Sequence, residues 1–110
     1  MPTKTWKKAE LEIARWLKGK RRGADFRGEN AGKSDIVKEG WSIEVKHSTR
    51  PHWKLITGAL DQSETNKPKP EDIPIAVIHK AGEPYARSIV VMYLDTFSEL
   101  FINESGDENG

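Results

Sequence analysis

Residues 34–47 read SDIVKEGWSIEVKH, and this stretch decides the fold. Two runs of β-forming residues flank the dipeptide Glu39-Gly40, which predicts a hairpin with a two-residue turn. In that register Lys38 pairs with Trp41 across the turn. A hairpin at this point makes a β-sheet the centre of the fold.

The same register places two carboxylates face to face. Asp35 lies directly opposite Glu44, and opposed side chains of an antiparallel pair have Cβ atoms about 4.5–5.5 Å apart. Glu44 and Lys46 share one face of the second strand, whereas Ile43 and Val45 share the other. Because two carboxylates this close repel each other, the pattern predicts a bound cation.

The segment before the hairpin adds a third carboxylate on an apolar face. The spacing of Trp6, Ile13 and Leu17 predicts an amphipathic helix. At about 100° per residue, Glu10 falls inside the apolar stripe and Glu12 on the solvent side. A carboxylate that faces a core needs a partner, so Glu10 is a candidate site residue and Glu12 is not.

The periodicity of apolar residues and the positions of glycine and proline predict the other elements. The order is α-β-β-β-α-β-β-α, an α/β fold in which helices flank a mixed central sheet, with one domain over residues 1–102 and a disordered acidic tail over 103–110. The predicted helices are Lys4–Lys18 (ended by Gly19), His52–Asn66 and a short one capped by Asp95 or Thr96, with Phe97, Leu100 and Phe101 on its inner side. The predicted strands are Ala24–Arg27 after a basic loop at Lys20–Gly23, the two hairpin strands, Ile73–His79 and Ser88–Leu94.

Composition excludes several classes of protein. The 110 residues include no cysteine, so disulfides, thiolate chemistry and cysteine zinc sites are excluded. No apolar run is long enough to cross a membrane, and the charged N-terminus predicts a cytoplasmic rather than a secreted protein. Residues 1–54 carry 14 Lys/Arg and 7 Asp/Glu, a balance of +7, whereas residues 55–110 carry 4 and 10, a balance of −6. A basic half favours a polyanionic partner.

The clustered carboxylates suit metal-dependent hydrolysis of a phosphodiester. Mg²⁺ prefers oxygen ligands in octahedral geometry. Asp35, Glu44 and the carbonyl of Val45 could hold one ion, with Glu10 reaching it directly or through water. Lys46 could orient the attacking water or neutralise charge in the transition state.

The pattern of Glu10, Ser34-Asp35 and Glu44-Val45-Lys46 resembles the PD-(D/E)XK nuclease superfamily. The likeness extends over most of residues 4–102 and is greatest to the archaeal-type Holliday-junction resolvases and their phage relatives. It implies a restriction-endonuclease-like fold and a Mg²⁺-dependent homodimer that cuts four-way DNA junctions, with Mn²⁺ as a substitute ion. Two features depart from the family pattern: Ser34 replaces the proline, and the Asp-to-Glu spacing is short.

Other candidate residues are assigned more simply. Gln62 matches a glutamine on the helix that follows the lysine in the phage relatives, which implies a site position; an exposed glutamine is the alternative. His47 is expected to be structural, and Trp41 and Trp53 to lie in the core, with base stacking as the alternative. Basic residues near the site are expected to contact phosphates; they are Lys20, Arg21, Arg22, Arg27, Lys33 and Arg50.

Three functions remain in competition on the sequence alone. The first is a structure-selective DNA endonuclease that resolves four-way junctions in a prokaryotic or phage-infected cell. The second is another nuclease of the same fold, of the repair or restriction type. The third, from a different class, is a non-catalytic DNA-binding module or a small interaction protein whose Glu-x-Lys match is accidental.

Overall fold

The computed structural model describes residues 5–21 and 34–103. Within them, five strands form one mixed sheet in the order β1-β2-β3-β4-β5. The order of elements, α-β-β-β-α-β-β-α, is the one predicted. The elements are α1 (Thr5–Leu17), β1 (Lys20–Arg21), β2 (Ile36–Lys38), β3 (Trp41–Ser48), α2 (Trp53–Thr65), β4 (Ile73–Lys80), a 3₁₀ turn (Tyr85–Arg87), β5 (Ile89–Val91) and α3 (Leu94–Phe97), which continues as a π-helical turn (Ser98–Ile102).

The hairpin has the predicted turn and register. Lys38 pairs with Trp41, and the antiparallel ladder continues to Ile36 opposite Ile43. Gly40 in the turn has φ +88°, a conformation that glycine adopts without strain. β3 then pairs in parallel with β4 over eight residues, and α2 is the crossover between them, as parallel neighbours require.

Two layers of helix cover the sheet. α1 covers the face that carries Ile43 and Val45, and its Ile13 joins them in the larger core cluster. α2 covers the other face, where Ala59 packs with Ala76 and Ile78 in a smaller cluster. β4 is central and nearly all buried, which explains its unbroken apolar run.

Two local predictions were wrong, and two more are not tested. A two-residue edge strand, β1, occupies the predicted basic loop, because pairing with Val37 and Ile36 holds Lys20 and Arg21 extended despite their weak β preference. α3 begins at Leu94 with Tyr93 as its N-cap, so neither Asp95 nor Thr96 caps it. The predicted strand Ala24–Arg27 and the tail residues 104–110 lie outside the described residues.

The C-terminal helix does not bury its predicted inner face. Phe97, Leu100 and Phe101 remain between 39% and 53% exposed in the single chain. The helix is short, and Phe97 and Phe101 flank an apolar cavity of about 380 Å³ instead of filling it, whereas Leu100 lines a separate, more polar cavity. None of the described helices is both long and apolar enough to cross a membrane.

Candidate active site

The end of β2 positions the first carboxylate. The ladder stops at Ile36, and the next residue, Asp35, donates its backbone N–H to the Ile43 carbonyl over 3.0 Å. Its Oδ2 accepts a hydrogen bond of 2.9 Å from the Val45 backbone N–H. The Asp35 side chain therefore takes the place of the backbone acceptor that a longer β2 would have offered to β3. Asp35 lies just beyond the ladder, not in the ladder position opposite Glu44 that the sequence predicted.

The two carboxyl groups still meet. Glu44 is 1% exposed, and burial, the charge of Asp35 and a hydrogen bond between the two carboxyl groups raise its pKa to about 8. The Asn66 amide donates to Glu44 Oε2 over 3.4 Å, and this bond and the charge of Lys46 act in the opposite direction. In the absence of a cation, the Asp35–Glu44 pair therefore retains a proton at neutral pH.

A buried serine cluster fixes α2 against β3 beside this pair. Ser42 Oγ donates to the Ser63 carbonyl over 2.7 Å, and Ser63 Oγ donates to the Ser42 carbonyl over 2.6 Å. Since the Ser42 proton is used in this way, Ser34 Oγ is the donor in its 2.7 Å contact with Ser42 Oγ. These bonds position the end of α2, where Asn66 is the C-cap residue.

Sequence reasoning missed the serine cluster and Asn66. A signal existed for Ser42, which alternates with Glu44 and Lys46 on one strand face, and for Ser63, which falls on the buried face of α2. No comparable signal marked Asn66, because its contact with Glu44 depends on how α2 folds back over the sheet.

Glu10 is buried, as its helical phase predicted, but it has a different partner from the carboxyl pair. It is 9% exposed, and its Oε1 accepts a 2.7 Å hydrogen bond from Arg21 Nε in β1. Glu12 lies on the outer side of the helix and pairs with Arg15 at 3.2 Å. α1 covers the face of Ile43 and Val45, whereas Glu44 and Lys46 point to the α2 face.

The structure therefore brings two of the predicted metal ligands together. Over residues 5–21 and 34–103, no group of three or more His, Asp or Glu side chains is close enough to hold a metal ion. Asp35 and Glu44 provide a two-carboxylate site with Lys46 near it. Glu10 is held by Arg21 in the layer of α1.

The predicted DNA contacts are dispersed. Lys20 and Arg50 are exposed, Gln62 is exposed on α2, and the guanidinium of Arg21 is engaged by Glu10. Arg22, Arg27 and Lys33 lie outside the described residues. The expectation that both tryptophans belong to the core holds for Trp41, which packs against it, and fails for Trp53, which is 77% exposed.

His47 has structural partners on the α1 side of the sheet. Its Nδ1 lies 2.8 Å from Nδ1 of His79, its register partner on β4. His79 Nε2 lies 2.7 Å from the Glu83 carbonyl, and its ring stacks on Tyr85 with centroids 4.2 Å apart. Burial and the charge of His79 lower the pKa of His47. The two histidines therefore connect β3 to β4, and His79 connects β4 to the turn that follows it.

Fold and site together define an α/β protein in which a buried glutamate and a lysine share one strand face of a mixed sheet, with a half-buried aspartate against the glutamate. Comparison with protein-family models, with curated proteins and with solved structures found no match.

Proposed function

We propose that this protein is a Mg²⁺-dependent DNA endonuclease that hydrolyses phosphodiester bonds, with a restriction-endonuclease-like fold. The observation that carries the proposal is the Asp35–Glu44 carboxyl pair at the end of β2, in which Glu44 is buried and Asp35 half-buried, with Lys46 beside it. Burying two adjacent acids costs free energy, and a divalent cation offsets that cost. A protein that only binds DNA has no use for such a pair facing phosphates.

The donor set fits Mg²⁺. This ion is commonly held by one or two carboxylates, with waters and substrate phosphates completing its shell, so Asp35 and Glu44 suffice as protein side chains. The carbonyl of Val45 is a further proposed ligand, and Mn²⁺ would be accepted by the same oxygens. When bound, such an ion supplies Lewis-acid polarisation of the phosphate and lowers the pKa of a bound water.

The chain's own residues have separate roles in the proposal. Asp35 and Glu44 hold the ion, and the ammonium of Lys46 neutralises charge that develops on the phosphate. Glu10 acts at the same centre through water or through Arg21, whose guanidinium it already holds. Gln62, exposed on α2, faces the substrate.

The preferred substrate in this proposal is a four-way DNA junction. The basic N-terminal half supplies an affinity for phosphates that is independent of sequence, so selection of a junction requires geometry. A two-fold dimer presents two such sites to symmetry-related strands and makes paired nicks. An enzyme of this kind would act in recombination or repair in the cytoplasm of a prokaryotic or phage-infected cell.

The exposed apolar surface supports the homodimer. Six large side chains of β5 and the C-terminal helix are 39–82% exposed; they are Val90, Leu94, Phe97, Leu100, Phe101 and Ile102. A large side chain has roughly 150–250 Å² of surface, so six that are about half exposed present on the order of 600 Å², compared with the ~800 Å² that each partner buries in a standard interface. Residues 104–110 contain no apolar side chain that could cover this surface. We propose that a second copy covers it.

The test compares a labelled four-way junction with linear duplex of the same sequence, each in Mg²⁺ and in EDTA. We expect nicks in opposing strands of the junction in Mg²⁺ only, and little cleavage of the duplex. Equal cleavage of both substrates would favour the second candidate, a repair or restriction-type nuclease of the same fold. Binding without cleavage in either ion would favour the DNA-binding module.

A further inference from the structure

A basic surface lies at the far end of β3, away from the carboxyl pair. The parallel strands β3 and β4 end together, with Ser48 opposite Lys80 and with the Ala81 N–H bonded to the Ser48 carbonyl at 2.8 Å. Residues 45–60 and 73–82 contain no Asp or Glu. They contain four cationic residues, which are Lys46, Arg50, Lys54 and Lys80. Glu83 lies in the turn beyond β4, next to Lys80, so Arg50, Lys54 and Lys80 leave this end of the sheet with a net positive charge.

An exposed tryptophan stands in this surface. Trp53 is the first residue of α2 and is 77% exposed. Over the described residues, its indole has neither a hydrogen-bond partner nor a ring partner. A large aromatic side chain left in water between Arg50 and Lys54 costs free energy and contributes nothing to the core. This indicates a ligand with a flat apolar face and negative charge.

A groove lies next to the first turn of α2, at the ends of β3 and β4; its lining includes Arg50 and Lys80 but neither Trp53 nor Lys54. A cavity of about 470 Å³ has Ile56 and Ile78 in its wall and the cationic Arg50 and Lys80 among its lining residues. Apolar surface bordered by cations suits a nucleotide, whose base is apolar on its faces and whose phosphate is anionic. Aromatic stacking of bases combined with a cationic groove is the usual means by which proteins bind single-stranded nucleic acid.

The surface is close enough to the carboxyl pair to act on the same strand. From Glu44 to Ser48 the strand rises about 13 Å at about 3.3 Å per residue. One strand of duplex DNA has a phosphate every 3.4 Å along the helix axis, so this distance corresponds to roughly four phosphates. Lys46 lies between the two, on the same face as Glu44.

We propose that Trp53 stacks on an unpaired base of the DNA substrate, while Arg50, Lys54 and Lys80 bind the phosphates beside it. The inference rests on the proposed function, because the ligand it names is a single-stranded segment of that substrate. It gives the enzyme a means of selecting branched or opened DNA over continuous duplex, since only branched or opened DNA offers an unstacked base.

The test measures binding in EDTA, where no cleavage occurs. The probes are a fluorescent oligothymidylate and a blunt duplex of the same length, and the variants are Trp53→Ala, Trp53→Phe and Trp16→Ala. Trp16, 63% exposed on α1, is the matched control. Stacking on one base contributes about 5- to 150-fold in affinity, so we expect Trp53→Ala to lose at least about fivefold for the oligothymidylate and much less for the duplex. Trp53→Phe should retain most of the affinity, and Trp16→Ala all of it.

The outcomes separate this inference from the proposed function. Unchanged binding of oligothymidylate by a folded Trp53→Ala protein would overturn the inference, and Mg²⁺-dependent cleavage would still support the nuclease. Loss of binding in Trp53→Ala, in a protein that never cleaves DNA, would support the inference and remove the nuclease. A wild-type protein that binds neither probe would overturn both.

Discussion

At the residue scale, the side chain of Asp35 does two jobs. It accepts the Val45 N–H that β2 leaves unpaired, and it lies against the buried carboxyl of Glu44. The first role is structural and the second concentrates negative charge. The residue types and their alternation were readable from the sequence. The contacts of Asn66 with Glu44 and of Ser63 with Ser42 were not, because they join residues more than twenty positions apart that meet only when α2 packs on the sheet.

The raised pKa of Glu44 predicts an unusual dependence of stability on pH. The unfolded chain loses this proton near the ordinary value of 4.5, whereas the folded protein retains it to about pH 8. The free energy of unfolding should therefore fall as the pH rises from about 4.5 to 8 in the absence of divalent cations. Thermal unfolding in EDTA should show a lower Tm at pH 9 than at pH 5.

Glu44→Gln is the matched variant for this measurement, because its amide cannot ionise. In Glu44→Gln, the fall in Tm between pH 5 and pH 9 that comes from ionisation of Glu44 should be absent. In the wild-type protein, Mg²⁺ should raise the Tm more at pH 9 than at pH 5. A wild-type Tm that Mg²⁺ leaves unchanged at both pH values would count against a cation at this pair.

The two acids of α1 allow a second comparison at the residue scale. Glu10 is buried against Arg21, whereas Glu12 pairs with Arg15 at the surface. Glu10→Gln should reduce the cleavage rate by one or more orders of magnitude, because it removes the carboxylate that holds Arg21 and, with it, the role proposed for this pair. Glu12→Gln should leave the rate nearly unchanged, since exposed ion pairs contribute little. Rate measurements that rank the two variants in reverse would refute the role given to Glu10.

At the element scale, the strongly periodic segments were predictable and the weak ones were not. The hairpin, its register, α2 and β4 follow from alternation, from a turn dipeptide and from an apolar run. β1 was missed because a two-residue edge strand has no period, and its extended form comes from pairing with β2. The exposure of Trp53 was not predicted, because the periodicity of a helix does not show where its first residue lies relative to the sheet.

At the junction between α1 and β1, a close approach to β2 explains the glycine at position 19. Gly19 was expected to end α1, and the residue of positive φ at this end is Lys18, with φ 58°. Glycine is required next to it for another reason: a Cβ on Gly19 would lie 2.8 Å from Ile36 Cγ2 and 2.9 Å from the Val37 carbonyl. This glycine lets the chain pass close to β2.

Gly19→Ala should therefore destabilise the protein by about 1–3 kcal/mol. Gly58→Ala is the control, because a Cβ at this position in α2 meets no atom within 4 Å and should stabilise the helix by about 0.5–1 kcal/mol. Chemical denaturation of both variants measures the difference. Equal stability of the two would show that the close approach at Gly19 is absent.

At the scale of the whole molecule, the chain leaves an apolar surface that its own described residues do not cover. Leu94 is 82% exposed and Phe101 53%, beside a cavity whose lining includes Trp41 and Lys38. Patches of this size on monomeric proteins mark interaction sites. The sequence did not predict this exposed surface, because the aromatic residues of the C-terminal helix have the same spacing as those of a helix that faces the core.

We expect light scattering to find a dimer, and the double variant Leu94→Glu/Phe101→Glu to be a folded monomer. Buried carboxylates in the interface oppose association, whereas both positions are exposed in the single chain and tolerate charge. The control variant is Trp16→Glu, at a side chain that is exposed on α1, and it should remain a dimer. A wild-type protein that is monomeric both alone and on DNA would contradict the dimer while leaving the nuclease proposal intact.

The central claim is that Asp35 and Glu44 hold a catalytic cation, and cleavage by Asp35→Asn and Glu44→Gln tests it most directly. Each change removes one ligand, so Mg²⁺-dependent nicking of a four-way junction should fall by at least two orders of magnitude. Binding of the same junction in EDTA should be retained, because the pair already carries a proton at neutral pH and an amide in place of one carboxyl leaves its net charge nearly unchanged. Glu12→Gln, with the same chemical change at the surface, should cleave like the wild-type protein. Cleavage at nearly the wild-type rate by either site variant would contradict the account.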